Sequence, residues 1–155
     1  MTGTIAARLA ELGITLPDAP NPVANYVPFA ISGNLLFISG QIAKGGDGKI
    51  VTGTLGGGID IEAGQRAARL CALNILAQAK AALGDLDRIV QVVRLTGFVS
   101  ATPAFADHPK VVNGASDLMV EVLGDKGRHT RAAVGVSSLP LGSAVEVDAT
   151  IAIKG

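Results

Sequence analysis

The feature that most constrains this fold is a long, alanine-rich helix pattern that begins at Ile61 and ends at Leu83. Asp60 precedes it as an N-cap residue, and Gly84 follows it as the residue type that commonly ends a helix. Its broad stripe of mostly small side chains consists of Ala67, Leu70, Cys71, Asn74, Ile75 and Ala77. Basic residues interrupt the stretch, so it cannot span a bilayer and we expect no membrane partner. The stripe instead needs a sheet or another helix to pack against.

Few aromatic side chains are available to fill the core against which this helix packs. Of the 155 residues, 48 % are hydrophobic and only 17 % are charged, which is the profile of one packed domain. Aromatic residues make up 3 % and tryptophan is absent, whereas alanine and glycine together supply 44 residues. Core volume must therefore come from valine, isoleucine and leucine, with backbones packed closely together.

Charge and cysteine content exclude several classes of function. Thirteen basic residues balance thirteen acidic ones, so the basic surplus that phosphate binding requires is missing and we expect no nucleic-acid partner. The single cysteine, Cys71, cannot form an intrachain disulfide, and with only two histidines a structural zinc site is disfavoured. The N-terminus lacks the apolar segment of an export signal. We therefore expect a cytoplasmic protein without a metal site.

The N-terminal segment is predicted to be separate from the main domain. Apolar residues at helical spacing from Ile5 to Leu12 predict a short helix with a cap at Thr2 or Thr4. Three prolines at positions 17, 20 and 22 then predict an extended connector. We accordingly predict an N-terminal helix and connector over residues 1–24 and a single domain over residues 25–155.

The rest of the chain alternates between strand and helix signals. A hairpin is predicted from residues 26–31 and 35–38, with a short strand at 49–51. Beyond the long helix, the predicted elements are a strand at 89–100, a helix at 110–123 and final strands at 132–137 and 144–153. This order predicts an α+β fold with a mixed sheet and helices on one face.

The last two strands are expected to pair as a hairpin around Pro140. In that register Arg131 faces Thr150 and Glu146 faces Gly135, which separates Arg131 from Glu146 by roughly 13 Å. Within one chain, a small molecule does not contact both side chains. A site that used both of them would have to be assembled between subunits.

Apolar and polar residues alternate along the last strand. Glu146 and Asp148 consequently share one face, while Arg131 shares a face of the preceding strand with Ala133. A solvated sheet face with scattered charges explains this pattern without any function. From the alternation by itself, that interpretation stays open.

Two segments carry a more specific pattern. They read Leu36-Phe-Ile-Ser39-Gly40-Gln41, and Thr130-Arg131-Ala-Ala-Val-Gly-Val-Ser-Ser-Leu139-Pro140 followed by Val145-Glu146-Val147-Asp148-Ala149. Both resemble signatures of the Rid family of reactive-intermediate deaminases, also called the YjgF family, and they occur in the family's order. The resemblance runs from about Asn25 to Lys154. The N-terminal helix and connector lie outside it, so the chain resembles the longer members.

The resemblance implies a chorismate-mutase-like α+β fold and a homotrimer with clefts between subunits. It also implies a hydrolytic deaminase that converts small 2-imino or 2-enamino acids to 2-oxo acids and ammonia. The implied ligand is a small metabolite that carries a carboxylate, and no metal or organic cofactor is required.

The resemblance also assigns roles to individual residues. The family arginine that binds the substrate carboxylate falls on Arg131, and the acidic residue associated with the attacking water falls on Glu146. The substrate-binding positions of the cleft fall on Ser39, Tyr26 and Asn113. A family cysteine two places after the arginine is absent, and Ala133 stands in its place as part of the binding wall.

Physical chemistry supports the two catalytic assignments independently of the family. A guanidinium group binds a carboxylate with two parallel charge-assisted hydrogen bonds, which suits Arg131 to an imino acid. Hydrolysis needs a positioned water and a group that moves protons, which suits Glu146.

Two other functions compete with the deaminase hypothesis. A trimeric ligand-binding or interaction module would keep the same cleft without turnover, and an intact Arg131 and Glu146 do not distinguish it from an enzyme. Ribonuclease activity is an old family label, but the zero net charge and the few aromatic residues argue against RNA binding.

Overall fold

Helices and strands alternate along the chain and form one sheet with two helices on it. The computed structural model describes residues 3–22 and 24–155. Its helices are α1 (Thr4–Glu11), α2 (Ile61–Leu83) and α3 (His108–Leu123). Its strands are β1 (Phe29–Ser32), β2 (Leu35–Ile42), β3 (Ile89–Ser100), β4 (Thr130–Val136) and β5 (Val145–Ile153). Short 3-10 turns lie at Leu86–Arg88, Gly124–Gly127 and Pro140–Gly142.

The sheet is mixed, and its strands lie in the order β1-β2-β5-β3-β4. The β3–β4 pair is parallel and the other pairs are antiparallel. Helices α2 and α3 both pack on the same face, so the predicted α+β layout with helices on one face is confirmed. The opposite face of the sheet carries no helix in the described part of the chain, and we call it the open face.

The predicted hairpin of the last two strands is wrong. Strand β3 lies between them, so Arg131 is paired with Leu95 and Glu146 is paired with Phe98. Every second residue of β5 is buried, which suits a central strand with neighbours on both sides. Strand β4 contains the exposed Val134, which suits an edge. The chain therefore crosses from the edge to the centre through Pro140–Gly142.

The long helix has the predicted ends. The Asp60 carboxylate accepts a hydrogen bond of 2.8 Å from the Ala63 amide, and Gly84 caps the C-terminus at φ 77°. Some other boundaries differ: α3 starts at His108, and β2 continues to Ile42.

Two local predictions are corrected. The residues predicted as a short strand at 49–51 form one isolated bridge, between Ile50 and Lys44, and no strand. The N-cap of α1 is Gly3, whose backbone is extended, and Thr4 is the first helical residue rather than the cap. Thr2 lies outside the described residues.

Helix α1 lies against α3 and the Leu86–Arg88 turn. Ile5 and Leu9 are buried there, and the Thr4 and Ile5 amides donate to the Asp87 carboxylate at 2.8 and 2.9 Å. These two hydrogen bonds lower the pKa of Asp87. The proposed division at residue 24 stays a prediction. None of the described helices has the length and apolar character that crossing a membrane would require.

Small residues allow the helices to approach each other and the sheet. A methyl group added at Gly114 on α3 would collide with the backbone carbonyl of Gln65 on α2. A methyl at Gly97 on β3 would lie 2.6 Å from a methyl carbon of Val112. The close backbone packing expected from the composition is therefore present at these two contacts.

Replacing Gly114 with alanine tests this packing. Alanine favours helix more than glycine does, yet the collision with Gln65 must move one helix. We expect Gly114→Ala to lower the free energy of unfolding by about 2 kcal/mol in a urea titration. Gly46→Ala, where a methyl meets open space, is the matched control and should leave stability nearly unchanged. Equal stabilities of the two variants would contradict the packing account.

Candidate functional site

The sequence-predicted site residues fall into two groups, and each group includes neighbours that the sequence did not predict. The Arg131 cluster consists of Arg131, Ala133, Asn113, Ser116 and His129, and it lies between β4 and α3. The Glu146 cluster consists of Glu146, Tyr26, Ser39 and Gly40, and it lies around β2 and β5. The structure brings members together within each cluster but does not bring the two clusters together.

Arg131 lies along α3 and is held by hydrogen bonds. Its Nη1 atom donates to Asn113 Oδ1 at 2.8 Å and to Ser116 Oγ at 3.1 Å, and its Nη2 atom donates to the Pro109 carbonyl at 3.3 Å. Among the described residues, no carboxylate forms an ion pair with this guanidinium. Its positive charge is therefore fixed in place and open to an anionic ligand.

Ser116 and His129 extend this network, and sequence reasoning missed both. His129 Nδ1 lies 2.6 Å from the Gly127 carbonyl, which can only accept, so a neutral ring carries its proton on Nδ1. Nε2 then accepts from the Ser116 hydroxyl at 2.8 Å, which leaves Ser116 Oγ free to accept from Arg131. The position of His129 two residues before Arg131 was a signal for this contact.

Ala133 lies two residues beyond Arg131 on the same face of β4. It is partly buried and packs against the hydrophobic core. Its methyl group therefore adds an apolar surface next to the guanidinium.

The Glu146 cluster depends on an irregularity in β2. Ile38 pairs with Ala149 and Gln41 pairs with Val147, so one extra residue of β2 bulges out at Ser39 and Gly40. A methyl at Gly40 would lie 2.6 Å from Glu146 Oε2, so glycine lets the carboxylate approach the backbone of β2.

Ser39 and Tyr26 complete the Glu146 cluster. The Ser39 hydroxyl donates to the Val27 carbonyl at 2.7 Å, which fixes the segment that carries Tyr26. Tyr26 is 47 % exposed, and it lines a cavity together with Gly40 and Glu146. Ser39 is thus joined to the cluster by its hydrogen bond to the segment that carries Tyr26.

Two carboxylates share the open face of β5. Partial burial raises the pKa of Glu146, and the nearby Asp148 carboxylate raises it further. Burial also raises the pKa of Asp148, although hydrogen bonds from Thr96 and the charge of Arg94 oppose that effect. Glu146 therefore holds a proton at higher pH than an exposed glutamate, which suits proton exchange with a substrate.

Arg131 and Glu146 lie on opposite faces of the sheet. Arg131 is paired with Leu95, which is fully buried under the helices, whereas Glu146 is paired with Phe98 on the open face. The strand spacing and rise place their Cα atoms about 14 Å apart. Within one chain, a small metabolite does not contact both groups.

The single cysteine is buried rather than exposed to a ligand. Cys71 is fully buried on α2, burial raises its pKa, and its thiol donates to the Val145 carbonyl at 3.4 Å. In residues 3–22 and 24–155, histidine, cysteine, aspartate and glutamate side chains form no group of three or more that could hold a metal ion.

Comparisons with known proteins identify relatives along nearly the whole chain. The family model described as "YjgF/chorismate mutase-like, putative endoribonuclease" matches residues 6–151. Protein TCP17 of Trypanosoma cruzi is 50 % identical over 154 residues, which cover 99 % of this chain and 96 % of that protein.

Solved structures with the same fold include close relatives. Protein Atu1372 of Agrobacterium tumefaciens, described as having unknown function, is 55 % identical with a TM-score of 0.88 and covers 97 % of this chain and 94 % of its own. A "putative endoribonuclease" of Shewanella oneidensis is 37 % identical with a TM-score of 0.93 and covers 97 % and 100 %.

More distant structures carry names that bear on function. RidA of an Antarctic Psychrobacter species is 26 % identical, and TdcF of E. coli, solved with bound serine, is 25 % identical. Both have TM-scores of 0.63 and cover 88 % of this chain and 94 % of their own.

The raised pKa of Glu146 predicts how its replacement changes stability with pH. Ionising Glu146 is harder in the folded chain than in the unfolded chain. Its contribution to the free energy of unfolding is therefore complete at low pH, and it is lost as the pH rises through the pKa of the folded state. We expect Glu146→Gln to be more stable relative to wild type at pH 7.5 than at pH 4, measured by urea unfolding. Asp117→Asn, which removes an exposed carboxylate of α3, controls for net charge. A relative stability that falls between pH 4 and pH 7.5 would contradict the burial of this carboxylate.

Proposed function

The chain belongs to the YjgF/chorismate mutase-like family, and on that premise we propose that it is a cytoplasmic, homotrimeric deaminase. Its substrates are small 2-imino or 2-enamino acids, and its products are 2-oxo acids and ammonia. The catalytic groups are Arg131 of one copy and Glu146 of a second copy.

The observation that carries this proposal is the placement of two incomplete clusters on opposite faces. Arg131 offers a fixed positive charge with no carboxylate paired to it, and Glu146 offers a carboxylate with no ion pair among the described residues. Strand β4 is an edge strand, so the Arg131 cluster lies at the rim of the sheet, where the open face of a second copy can reach it. A cleft between copies supplies both groups to one small molecule.

Apolar side chains on the open face support association with further copies. Phe37 and Val134 are 43 % and 44 % exposed there, and Phe98 is paired with Val134 on the neighbouring strand. Burying such side chains against another copy is favourable, and closed rotational symmetry is the usual result.

The reaction requires the addition of water to a carbon–nitrogen double bond. In the proposed cleft, Arg131 binds the substrate carboxylate and orients C2 toward Glu146. Glu146 takes a proton from water as the oxygen adds to C2, the electron pair of the double bond moves to nitrogen, and Glu146 passes the proton to that nitrogen. The product is a carbinolamine. Glu146 then transfers the hydroxyl proton to the amino group as the carbon–nitrogen bond breaks, so that ammonia leaves and the oxygen remains as the new carbonyl of the 2-oxo acid.

The remaining cleft residues have supporting roles in this proposal. Asn113 fixes the plane of the guanidinium through its 2.8 Å hydrogen bond. Tyr26 and Ser39 contact the substrate from the side of Glu146, and Ala133 provides an apolar wall beside Arg131. The bound serine of the distant E. coli relative supports a small carboxylate ligand for this fold.

Endoribonuclease activity, which the family description mentions, is not part of the proposal. Binding RNA requires basic residues that neutralise phosphates, and this chain has equal numbers of basic and acidic residues. Its aromatic content of 3 % leaves few side chains for stacking with bases.

A coupled assay tests the deaminase proposal. A threonine or serine dehydratase releases the enamino acid, and the rate of 2-oxo acid formation is followed with and without this protein. We expect wild type to accelerate the formation. Glu146→Gln should lower the rate about 100-fold, because the amide does not exchange protons in the same way. Arg131→Ala should weaken the free energy of substrate binding by about 3 kcal/mol.

Arg128→Ala is the matched control, because Arg128 is exposed and its ion pair with Asp125 lies outside both clusters. Its rate should equal that of wild type. If wild type gives no acceleration but still binds 2-oxo acids, the chain is a ligand-binding module rather than a deaminase.

A further inference from the structure

A cavity of about 150 Å³ lies beside Glu146, and the proposed hydrolysis does not use most of its wall. The side chains that form its apolar wall are Pro20, Pro22, Pro28, Ile42, Ile50 and Leu141. Pro20 and Pro22 belong to the connector between α1 and the sheet. The connector therefore closes one side of a space that opens next to a predicted catalytic group.

Two amide side chains around this cavity, those of Asn74 and Gln41, are already engaged. The side chain of Asn74 donates to the Ile42 and Lys44 carbonyls at 3.2 and 2.9 Å, and the side chain of Gln41 donates to the Ser39 carbonyl at 2.9 Å. Asn21 and Lys44 add polar groups to the lining, and the proline, isoleucine and leucine side chains make most of the remaining wall apolar. Burying an apolar group there is favoured by the hydrophobic effect.

Gln78 fixes the connector over the cavity. This α2 residue is only 1 % exposed, and its amide donates to the Pro20 carbonyl at 2.6 Å and to Gln41 Oε1 at 3.5 Å. Upstream, Ile14 and Leu16 pack against the hydrophobic core. The connector is thus held to α2 and, through Gln41, to the β2 segment that carries Ser39 and Gly40.

We propose that this cavity is a subsite for the substrate's side chain and that the proline connector is its specificity wall. The inference rests on the proposed function, which places the 2-imino acid between Arg131 and Glu146. An apolar cavity of this size holds a molecule as large as benzene. It therefore takes a branched aliphatic or phenyl side chain, whereas a methyl group leaves much of the wall without contacts.

The proposal is tested by binding, which does not depend on turnover. Pyruvate, 4-methyl-2-oxopentanoate and phenylpyruvate are titrated into the full-length protein in a calorimeter. We expect the two larger acids to bind at least tenfold more tightly than pyruvate, because they bury more apolar area. In Gln78→Leu the connector loses its hydrogen bond from residue 78 to the Pro20 carbonyl. The larger acids should then bind only about threefold more tightly than pyruvate, or less. The Kd of pyruvate should change by less than about twofold, because its methyl group leaves the wall untouched.

Two further variants separate the subsite from general stability. Ile50→Trp fills the cavity from a partly exposed loop and should weaken only the larger acids. Gln91→Leu removes a comparable amide-to-carbonyl contact, with Arg128 at 3.0 Å, away from the cavity, and should leave all three affinities unchanged. The free energy of unfolding of Gln91→Leu, measured by urea titration, is also the reference against which that of Gln78→Leu is compared.

Equal affinities for the three acids in wild type, or binding of none of them, would overturn the subsite. So would full retention of the side-chain preference in both Gln78→Leu and Ile50→Trp. Imine hydrolysis without a side-chain preference overturns the subsite and leaves the deaminase intact. A side-chain preference in binding without any hydrolysis overturns the deaminase and leaves the subsite intact.

Discussion

Hydrogen bonds from Arg131 to α3 hold the guanidinium on the helix-covered face of the sheet, at distances of 2.8, 3.1 and 3.3 Å. The alternation of β5 holds Glu146 on the opposite face, because its neighbours Val145 and Val147 must be buried under α2. A one-residue shift in either strand would reverse these positions and expose the core. The packing of the core thus determines which chemical groups each face of the sheet presents.

Helix α2 connects the core to the site through its small residues. Because Ala67, Ala68 and Ala72 are fully buried, the helix lies close enough for polar side chains on the same helix to reach backbone carbonyls. Asn74 binds the carbonyls at the end of β2, and Gln78 binds the proline connector. The small side chains of α2 therefore allow this helix to hold both the end of β2 and the connector.

Local signals in the sequence predicted much of this structure. The Asp60 cap, Gly84 and the spacing of small residues defined α2 correctly, since each acts within a few residues of its own position. The neighbours of β4 and β5 were not predictable in the same way. Strand β3 lies between Arg131 and Glu146 because it pairs with segments more than thirty residues away in the chain. Local sequence patterns contain no information on such long-range pairing. The roles of Ser116 and Gln78 also arise only from tertiary contacts.

The central claim, that one site takes Arg131 and Glu146 from different copies, is tested most directly by mixing two inactive variants. Arg131→Ala and Glu146→Gln are unfolded together in equal amounts, refolded, and assayed for 2-oxo acid formation beside each variant refolded separately. In mixed trimers, some clefts contain both intact groups, so we expect about a quarter of the wild-type rate per cleft from random assembly. A mixture that assembles but stays as inactive as its components would contradict a shared site.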